Sequence, residues 1–194
     1  YKRYSFRTRT TYKPFNWLTV KPSLSGSRRD IYDQQYSVTA MYSMFPWDSP
    51  YDKNGELVPH RYSGWVNAQN TNYLLDLSYG NYGESTNYEF MGNFDFDIRL
   101  TDWLTFTSVN NYRYLSYSLH SYTDPRSNGG SGVDGRLYEY RSEVVRRYTN
   151  QNLMVSKMFG KHSINGHVSY EFKDYTAKTF AGNGTGFIPG FQVM

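Results

Sequence analysis

The sequence predicts an all-β fold of about six long antiparallel strands, which pair as up-and-down hairpins and form part of a transmembrane β-barrel. Three observations support this fold class. Apolar and polar residues alternate along several long segments, aromatic residues make up 19% of the chain, and short turns alternate with long loops. Together they indicate strands with one apolar face and one polar face.

The alternation is most regular between residues 88 and 100. The even positions are Tyr88, Phe90, Gly92, Phe94, Phe96, Ile98 and Leu100, and the odd positions are Glu89, Met91, Asn93, Asp95, Asp97 and Arg99. Successive side chains of a strand point to opposite faces, so this segment has one apolar and one polar face. In a soluble sandwich the apolar face would meet a second sheet, whereas in a membrane barrel it would meet lipid.

Three hairpins show this alternation, at about residues 3–27, 87–117 and 144–175. Their turns carry Trp17, Trp103 and Phe159, which we expect in the aromatic girdle at the periplasmic interface of a membrane barrel. The residues expected in the outer girdle are Tyr112, Tyr114, Tyr117, Tyr138 and Tyr140. The strands are long enough to cross a bilayer when tilted, which takes roughly 9–11 residues.

Two long loops separate the hairpins, at about residues 28–86 and 118–143. The second contains a Gly/Ser-rich tip, "SNGGSGVDG" (127–135), which we expect to be mobile. Loops this long are unusual in a compact soluble domain. Short turns on one side and long loops on the other are typical of an outer-membrane barrel, with the turns in the periplasm and the loops outside the cell.

Composition excludes several other classes. The mean hydropathy of −0.75 and the lack of a long apolar run exclude a transmembrane helix, but they allow a membrane barrel, whose strands dilute apolar residues by alternation. The absence of cysteine excludes a disulfide scaffold, and a net charge of +4 does not require a nucleic-acid partner. Since closed bacterial barrels begin at about eight strands, we expect this chain to be part of a larger barrel.

No motif predicts an enzyme, a cofactor or a metal site. Asp95 and Asp97 lie ~7 Å apart along one strand face, which overlaps the spacing of a glycosidase carboxylate pair, but no pocket accompanies them. The favoured interpretation is that these carboxylates form ion pairs with Arg99 or with basic side chains on neighbouring strands. His162 and His167 fall on opposite strand faces, and "GSGVDG" (130–135) lacks the strand–helix context of a nucleotide loop.

Five motifs in order resemble the SusC/RagA family of TonB-dependent outer-membrane transporters. They are "FRTRTTYKPFNWLTVKPSLSGS" (6–27), "FPWDSPYDKNGELV" (45–58), "FDFDIRLTDWLTFTSVNNY" (94–112), "YTDPRS" (122–127) and "MFGKHSINGHVSYEF" (158–172). Each motif is loose by itself, and together they span nearly the whole chain. The resemblance implies a 22-stranded barrel closed by a plug, with all 194 residues in one barrel domain and the plug and remaining strands absent from the chain.

The resemblance also implies a function and partners. The function is active import of an oligosaccharide or oligopeptide through the outer membrane of a Gram-negative, Bacteroidetes-type bacterium. The implied partners are a SusD-like surface lipoprotein that forms a lid, outer-membrane lipid, and TonB with ExbB and ExbD acting through the plug. The polar strand faces would line the lumen and hold the plug, and this set comprises Arg7, Arg9, Lys21, Asp95, Asp97, Arg99 and Glu171.

The loop at 45–58 holds the candidate contacts to substrate or lid, which are Trp47, Asp48, Tyr51, Asp52 and Asn54. Aromatic rings with neighbouring carboxylates and amides suit stacking on sugar rings or holding a peptide backbone. The alternative is that these residues pack the loop onto neighbouring loops or onto the lid. For the whole chain, the alternatives are a soluble aromatic-rich all-β carbohydrate-binding module and an inert structural barrel or adhesin without plug and lid.

Overall fold

The computed structural model describes residues 1–34, 38–59, 64–66 and 71–189. The strands are β1 (Lys2–Arg9), β2 (Tyr12–Phe15), β3 (Leu18–Gln34), β4 (Tyr82–Thr101), β5 (Leu104–Thr123), β6 (Arg136–Phe159) and β7 (His162–Thr185). The helices are α1 (Val38–Ser43) and α2 (Tyr73–Ser78). Neither of these, nor any other helix in the described ranges, is long and apolar enough to cross a membrane.

All strands belong to one antiparallel sheet in the order β1-β3-β4-β5-β6-β7, with β2 also paired to β3. Since β1 and β2 both pair with β3, they form one interrupted row, and the seven strands make six rows. The interruption at residues 10–11 is bridged by Thr10, whose N–H donates to the carbonyl of Pro22 at 3.0 Å. The predicted all-β fold of about six long antiparallel strands is confirmed.

Tight turns at residues 16–17, 102–103 and 160–161 join neighbouring rows at one end of the sheet, which we call the turn end. Backbone carbonyls in two of these turns accept hydrogen bonds from the next strand of the sheet. The Trp17 carbonyl accepts from the Arg99 N–H at 2.7 Å, and the Trp103 carbonyl accepts from the Ser156 N–H at 2.8 Å. The last turn uses Gly160 at φ +58°, a conformation that costs side-chain-bearing residues energy. The opposite end, where the long connections lie, is the loop end.

The strands extend further toward the loop end than the predicted hairpins. Residues 28–34, 82–86, 118–123 and 136–143 continue the ladder, so the predicted loops at 28–86 and 118–143 shorten to 35–81 and 124–135. Apolar alternation fades in these segments because both faces carry polar residues there. The backbone ladder continues without it, since pairing depends on N–H and C=O groups rather than on side chains.

The strand register gives the sheet two distinct faces. Opposed pairs such as Val20–Phe96, Ile98–Phe106 and Leu153–Val168 gather the large apolar side chains on one side, the apolar face. The opposite side, the polar face, gathers pairs such as Lys21–Asp95 and Thr19–Asp97. The expected outer-girdle tyrosines divide between the faces: Tyr112 and Tyr114 lie on the apolar face, whereas Tyr117, Tyr138 and Tyr140 lie on the polar face.

The sheet has no hydrophobic core beneath it within the described ranges. The buried apolar residues there are Val58, Trp65 and Tyr122, none of which lies in the middle of a strand. Phe94 and Val168 on the apolar face are 54% and 74% exposed. The sheet is also open, because β1 and the 24-residue β7 each leave one edge unpaired.

Candidate functional site

All seven residues predicted to face a lumen lie on the polar face. Register pairs place Arg7, Arg9, Lys21, Asp95, Asp97, Arg99 and Glu171 on the same side of the sheet. The structure therefore brings them onto one surface, spread over β1, β3, β4 and β7. That this surface borders a lumen stays a prediction.

The two aspartates of β4 have separate partners and do not form a carboxylate pair. Asp97 Oδ2 accepts from Lys21 Nζ on the neighbouring strand at 2.7 Å. Asp95 Oδ1 accepts from the backbone N–H of Asn110 at 3.1 Å, and the Asn110 side-chain amide donates to the Phe94 carbonyl at 2.8 Å. The ladder between β4 and β5 has no direct residue pair at 94–95, so these side chains replace the missing backbone bonds.

The remaining charges of the predicted set differ in their pairing. Glu171 contacts Lys173 Nζ at 2.5 Å and accepts from the Tyr148 hydroxyl at 3.3 Å. Arg99 forms no ion pair with any residue that the structure describes. Exposed ion pairs of this kind contribute only about 0–1 kcal/mol to stability, so they mainly set the local charge of the surface.

The polar face also contains a cleft that the sequence did not predict. Arg3 on β1 lies opposite Arg29 on β3, and Glu89 on β4 lies opposite Ser27. Two adjoining hollows of about 310 and 370 Å³ share Arg3, Ser27 and Glu89. Alternation assigns each of these residues to the polar face, but their proximity depends on the register between strands, which a single sequence does not reveal.

The loop at 45–58 is built around a small hairpin. Tyr51 and Leu57 form an isolated bridge, and Gly55 adopts φ +82° in the turn between them. The Asp52 carboxylate accepts from the Glu56 N–H at 2.9 Å and the Asn54 N–H at 2.8 Å. These bonds, that of Glu56 foremost, lower the pKa of the Asp52 carboxyl. Their stabilisation therefore persists at neutral pH and is lost only as pH falls through that lowered pKa.

Two buried side chains hold this hairpin against the rest of the loop. Asp48 is 4% exposed, and its Oδ1 accepts from the Val66 N–H at 2.8 Å. Asn72 is fully buried, and its amide donates to the carbonyls of Pro50 and Val58 at 2.8 and 3.1 Å. Asp48 was a candidate ligand contact, but its burial gives it a structural role, because its carboxylate points into the loop.

The exposed part of the loop is aromatic. Trp47 is 66% exposed and stacks on Phe45 with ring centroids 5.2 Å apart. Tyr51 is 49% exposed on the same hairpin. We call Phe45, Trp47 and Tyr51 the aromatic loop patch. Of the five candidates, Trp47 and Tyr51 offer ring surface to a partner, whereas Asp52 and Asn54 bond each other and the turn.

The segment 124–135 is anchored at its base by buried and paired side chains. Asp124 is 1% exposed, accepts from Arg126 Nε at 2.8 Å, and donates its N–H to the Asn81 side chain at 2.7 Å. The Arg126 guanidinium stacks over the Tyr79 ring at 4.7 Å. The motif "YTDPRS" therefore joins the two long connections. The "GSGVDG" run lies mainly in turns with no helix after it, as interpreted from sequence.

In the described ranges, no three His, Cys, Asp or Glu side chains form a group that could hold a metal ion. Asp95 and Asp97 each have a separate partner. The polar face can form ion pairs with a ligand, and the exposed rings of the loop at 45–58 can stack on one.

Comparison with known proteins supports the fold. No protein-family profile matches the chain, and no curated protein matches it. Among solved structures, the chain is similar to the RagAB peptide importer in its "closed-closed" and "open-open" states, with a TM-score of 0.71 to each and identities of 17% and 18%. A structure of the RagAB peptide transporter gives a TM-score of 0.70 at 18% identity.

The three matches cover 95% of this chain and 21–22% of the matched chains. The chain therefore spans about a fifth of the length of the proteins that it resembles. At this level of identity the likeness establishes the fold. The chain has the fold of a segment of a large β-barrel, as its alternating strands predict.

The contact between the connections at 35–81 and 124–135 can be tested at Gly130. A Cβ on Gly130 would lie 2.0 Å from the Asp124 carbonyl oxygen, whereas a Cβ on Gly132 would meet nothing within 4 Å. We expect Gly130→Ala to open the turn at a cost of about 1–3 kcal/mol and Gly132→Ala to be neutral. Hydrogen exchange of the full-length protein, read at residues 71–81 and 124–135, should rise for the first variant alone. Equal exchange in both variants would contradict the role of this junction.

Proposed function

We propose that this chain is part of the barrel wall of a SusC/RagA-type importer in the outer membrane of a Gram-negative bacterium. The observation that carries the proposal is a single antiparallel sheet with one exposed apolar face, whose fold matches a segment of the RagAB peptide importer over 95% of the chain. Import is a property of the whole transporter, to which this segment contributes wall, lumen surface and loops.

The apolar face supports a membrane location. Soluble monomers rarely expose a contiguous apolar patch larger than a few hundred Å². A soluble carbohydrate-binding module would cover this face with a second sheet, but all described strands belong to one sheet. Contact with lipid would keep Phe94, Val168 and their neighbours out of water without a second protein layer. The barrel wall is therefore favoured over the soluble module.

The turn end supports an interfacial girdle. Phe15 and Trp17 stack at 5.2 Å between centroids. Lys157 Nζ lies 4.6 Å from the centroid of the Trp103 ring and 4.9 Å from that of the Phe159 ring. Aromatic rings with a lysine that extends past them are typical of side chains at a membrane–water interface. We assign Trp17, Trp103 and Phe159 to the periplasmic interface.

The proposed substrate is an oligopeptide, because the similar solved structures are of a peptide importer. The polar face, including Arg7, Arg9 and Glu171, would line its path. The aromatic loop patch would contact the peptide or a SusD-like surface lipoprotein. TonB, with ExbB and ExbD, would drive opening through the plug of the whole transporter.

Lipid contact predicts a strong asymmetry between the faces. Phe94→Lys should cost ~2–4 kcal/mol of unfolding free energy if position 94 lies near the bilayer midplane. Thr107→Lys on the polar face, opposite Asp97, is the matched control and should be nearly neutral. Urea unfolding of the full-length protein in lipid vesicles measures both. A neutral Phe94→Lys, or equal losses in the two variants, would contradict the assignment of the faces.

The aromatic loop patch predicts a binding defect without a folding defect. Trp47→Ala removes an exposed stacked ring, so it should weaken binding of peptide or of the surface lipoprotein by roughly 10-fold, from about 1–1.5 kcal/mol of lost stacking. Tyr42→Ala, at a residue that is 86% exposed outside the patch, is the control. Calorimetry of the full-length protein with each partner would measure this. Unchanged affinity for both partners would remove the patch from the binding surface.

A further inference from the structure

The loop-end half of the polar face contains a cationic cleft. It is formed by Arg3 and Arg7 on β1, Arg29 on β3 and Glu89 on β4, and we call it the arginine cleft. Its floor consists of Ser25 and Ser27 between the two walls. The two adjoining hollows, about 310 and 370 Å³, are open on the polar face.

The charges in the cleft do not cancel. Arg3, Arg7 and Arg29 form no ion pair with any residue in the described part of the chain. The carboxylate of the cleft, Glu89, is already paired with Arg113 Nη2 at 2.7 Å. Arg113 also keeps its Nε buried without a hydrogen-bond acceptor. The cleft therefore has guanidinium donors in excess of acceptors.

This excess contrasts with two lysines nearer the turn end of the same face, which are both paired. Lys21 is neutralised by Asp97 at 2.7 Å, and Lys173 by Glu171 at 2.5 Å. Arg3 and Arg29, in contrast, lie directly opposite each other in the β1–β3 ladder. Like charges at directly opposed positions destabilise a sheet. Placing them together therefore works against folding, and an anion bound between them would offset the repulsion.

We infer that the arginine cleft binds carboxylate groups of an acidic oligopeptide. Guanidinium groups pair with carboxylates through two parallel hydrogen bonds, and serine hydroxyls add neutral donors without filling the cleft. Arg3 and Arg7 lie on the same face of β1, four residues apart, which is roughly 13 Å along a strand. Glutamates at alternate positions of an extended peptide include pairs with this same spacing, so two of them can meet the two arginines.

This inference rests on the proposed function, since it assigns the substrate class of the same transporter. The same carboxylate chemistry has a second possible source, namely acidic side chains elsewhere in the full-length protein. The two sources differ in one measurable way. A peptide site changes substrate preference, whereas an internal partner changes the stability of the protein in the absence of substrate.

The experiment compares two peptides of equal length, one carrying glutamates at alternate positions and the other carrying glutamines there. Calorimetry with the full-length transporter should show about 10-fold or greater preference for the glutamate peptide. The double variant Arg3→Gln/Arg7→Gln should remove that preference and leave the glutamine peptide within about twofold. Lys161→Gln, at an exposed cation in the turn between β6 and β7 and outside the polar face, is the control and should leave both affinities unchanged.

Other outcomes would contradict the inference or the proposed function. Equal binding of both peptides by the wild type, or equal losses in the double variant, rejects carboxylate recognition but retains peptide import. An unchanged preference with a lowered melting temperature shows that the arginines pair with internal carboxylates, which also rejects the inference. If neither peptide binds the wild type, the proposed peptide import itself fails.

Discussion

The structure depends on one constraint, which is that every backbone N–H and C=O group of a strand must find a partner along the sheet. In hydrocarbon an unpaired group costs several kcal/mol, so strands survive there only as members of a continuous ladder. The six rows satisfy this between neighbours along nearly their whole length. At the gap beside residues 94–95, Asp95 and Asn110 supply side-chain bonds in place of the ladder.

The same constraint explains the polar residues on the apolar face. Ser108, Asn110, Thr149 and Gln151 lie on that face but bond one another: the Asn110 amide donates to Ser108 at 2.8 Å, and the Thr149 hydroxyl donates to Asn110 at 2.7 Å. Gln151 donates to Thr149 at 2.6 Å. Their donors and acceptors face each other rather than the surrounding medium. A polar residue is tolerated on such a surface when its neighbours complete its hydrogen bonds.

Features that follow from a local sequence period could be predicted from the sequence, whereas features that depend on tertiary contacts could not. Alternation found all three turns and the polar-face residues from Arg7 to Glu171, because side-chain direction on a strand is local. It missed the strand ends, where both faces are polar. It named Asp48 as a candidate contact to substrate or lid. It did not reveal the hydrogen bond that Asp48 accepts from Val66 or the one that Asp124 donates to Asn81, because each joins residues distant in the chain. Composition does not encode such contacts.

The two faces are organised by different rules, and that difference bears on function. The apolar face combines exposed large apolar side chains with polar residues that bond one another. The polar face holds ion pairs such as Lys21–Asp97, and its loop-end half also holds Arg3 and Arg29, which have no ion pair within the described residues. An inert structural barrel gains nothing from leaving Arg3 opposite Arg29, because pairing each with a carboxylate would be more stable. The unpaired arginines of this surface therefore support the proposal that it lines a transport path rather than an inert wall.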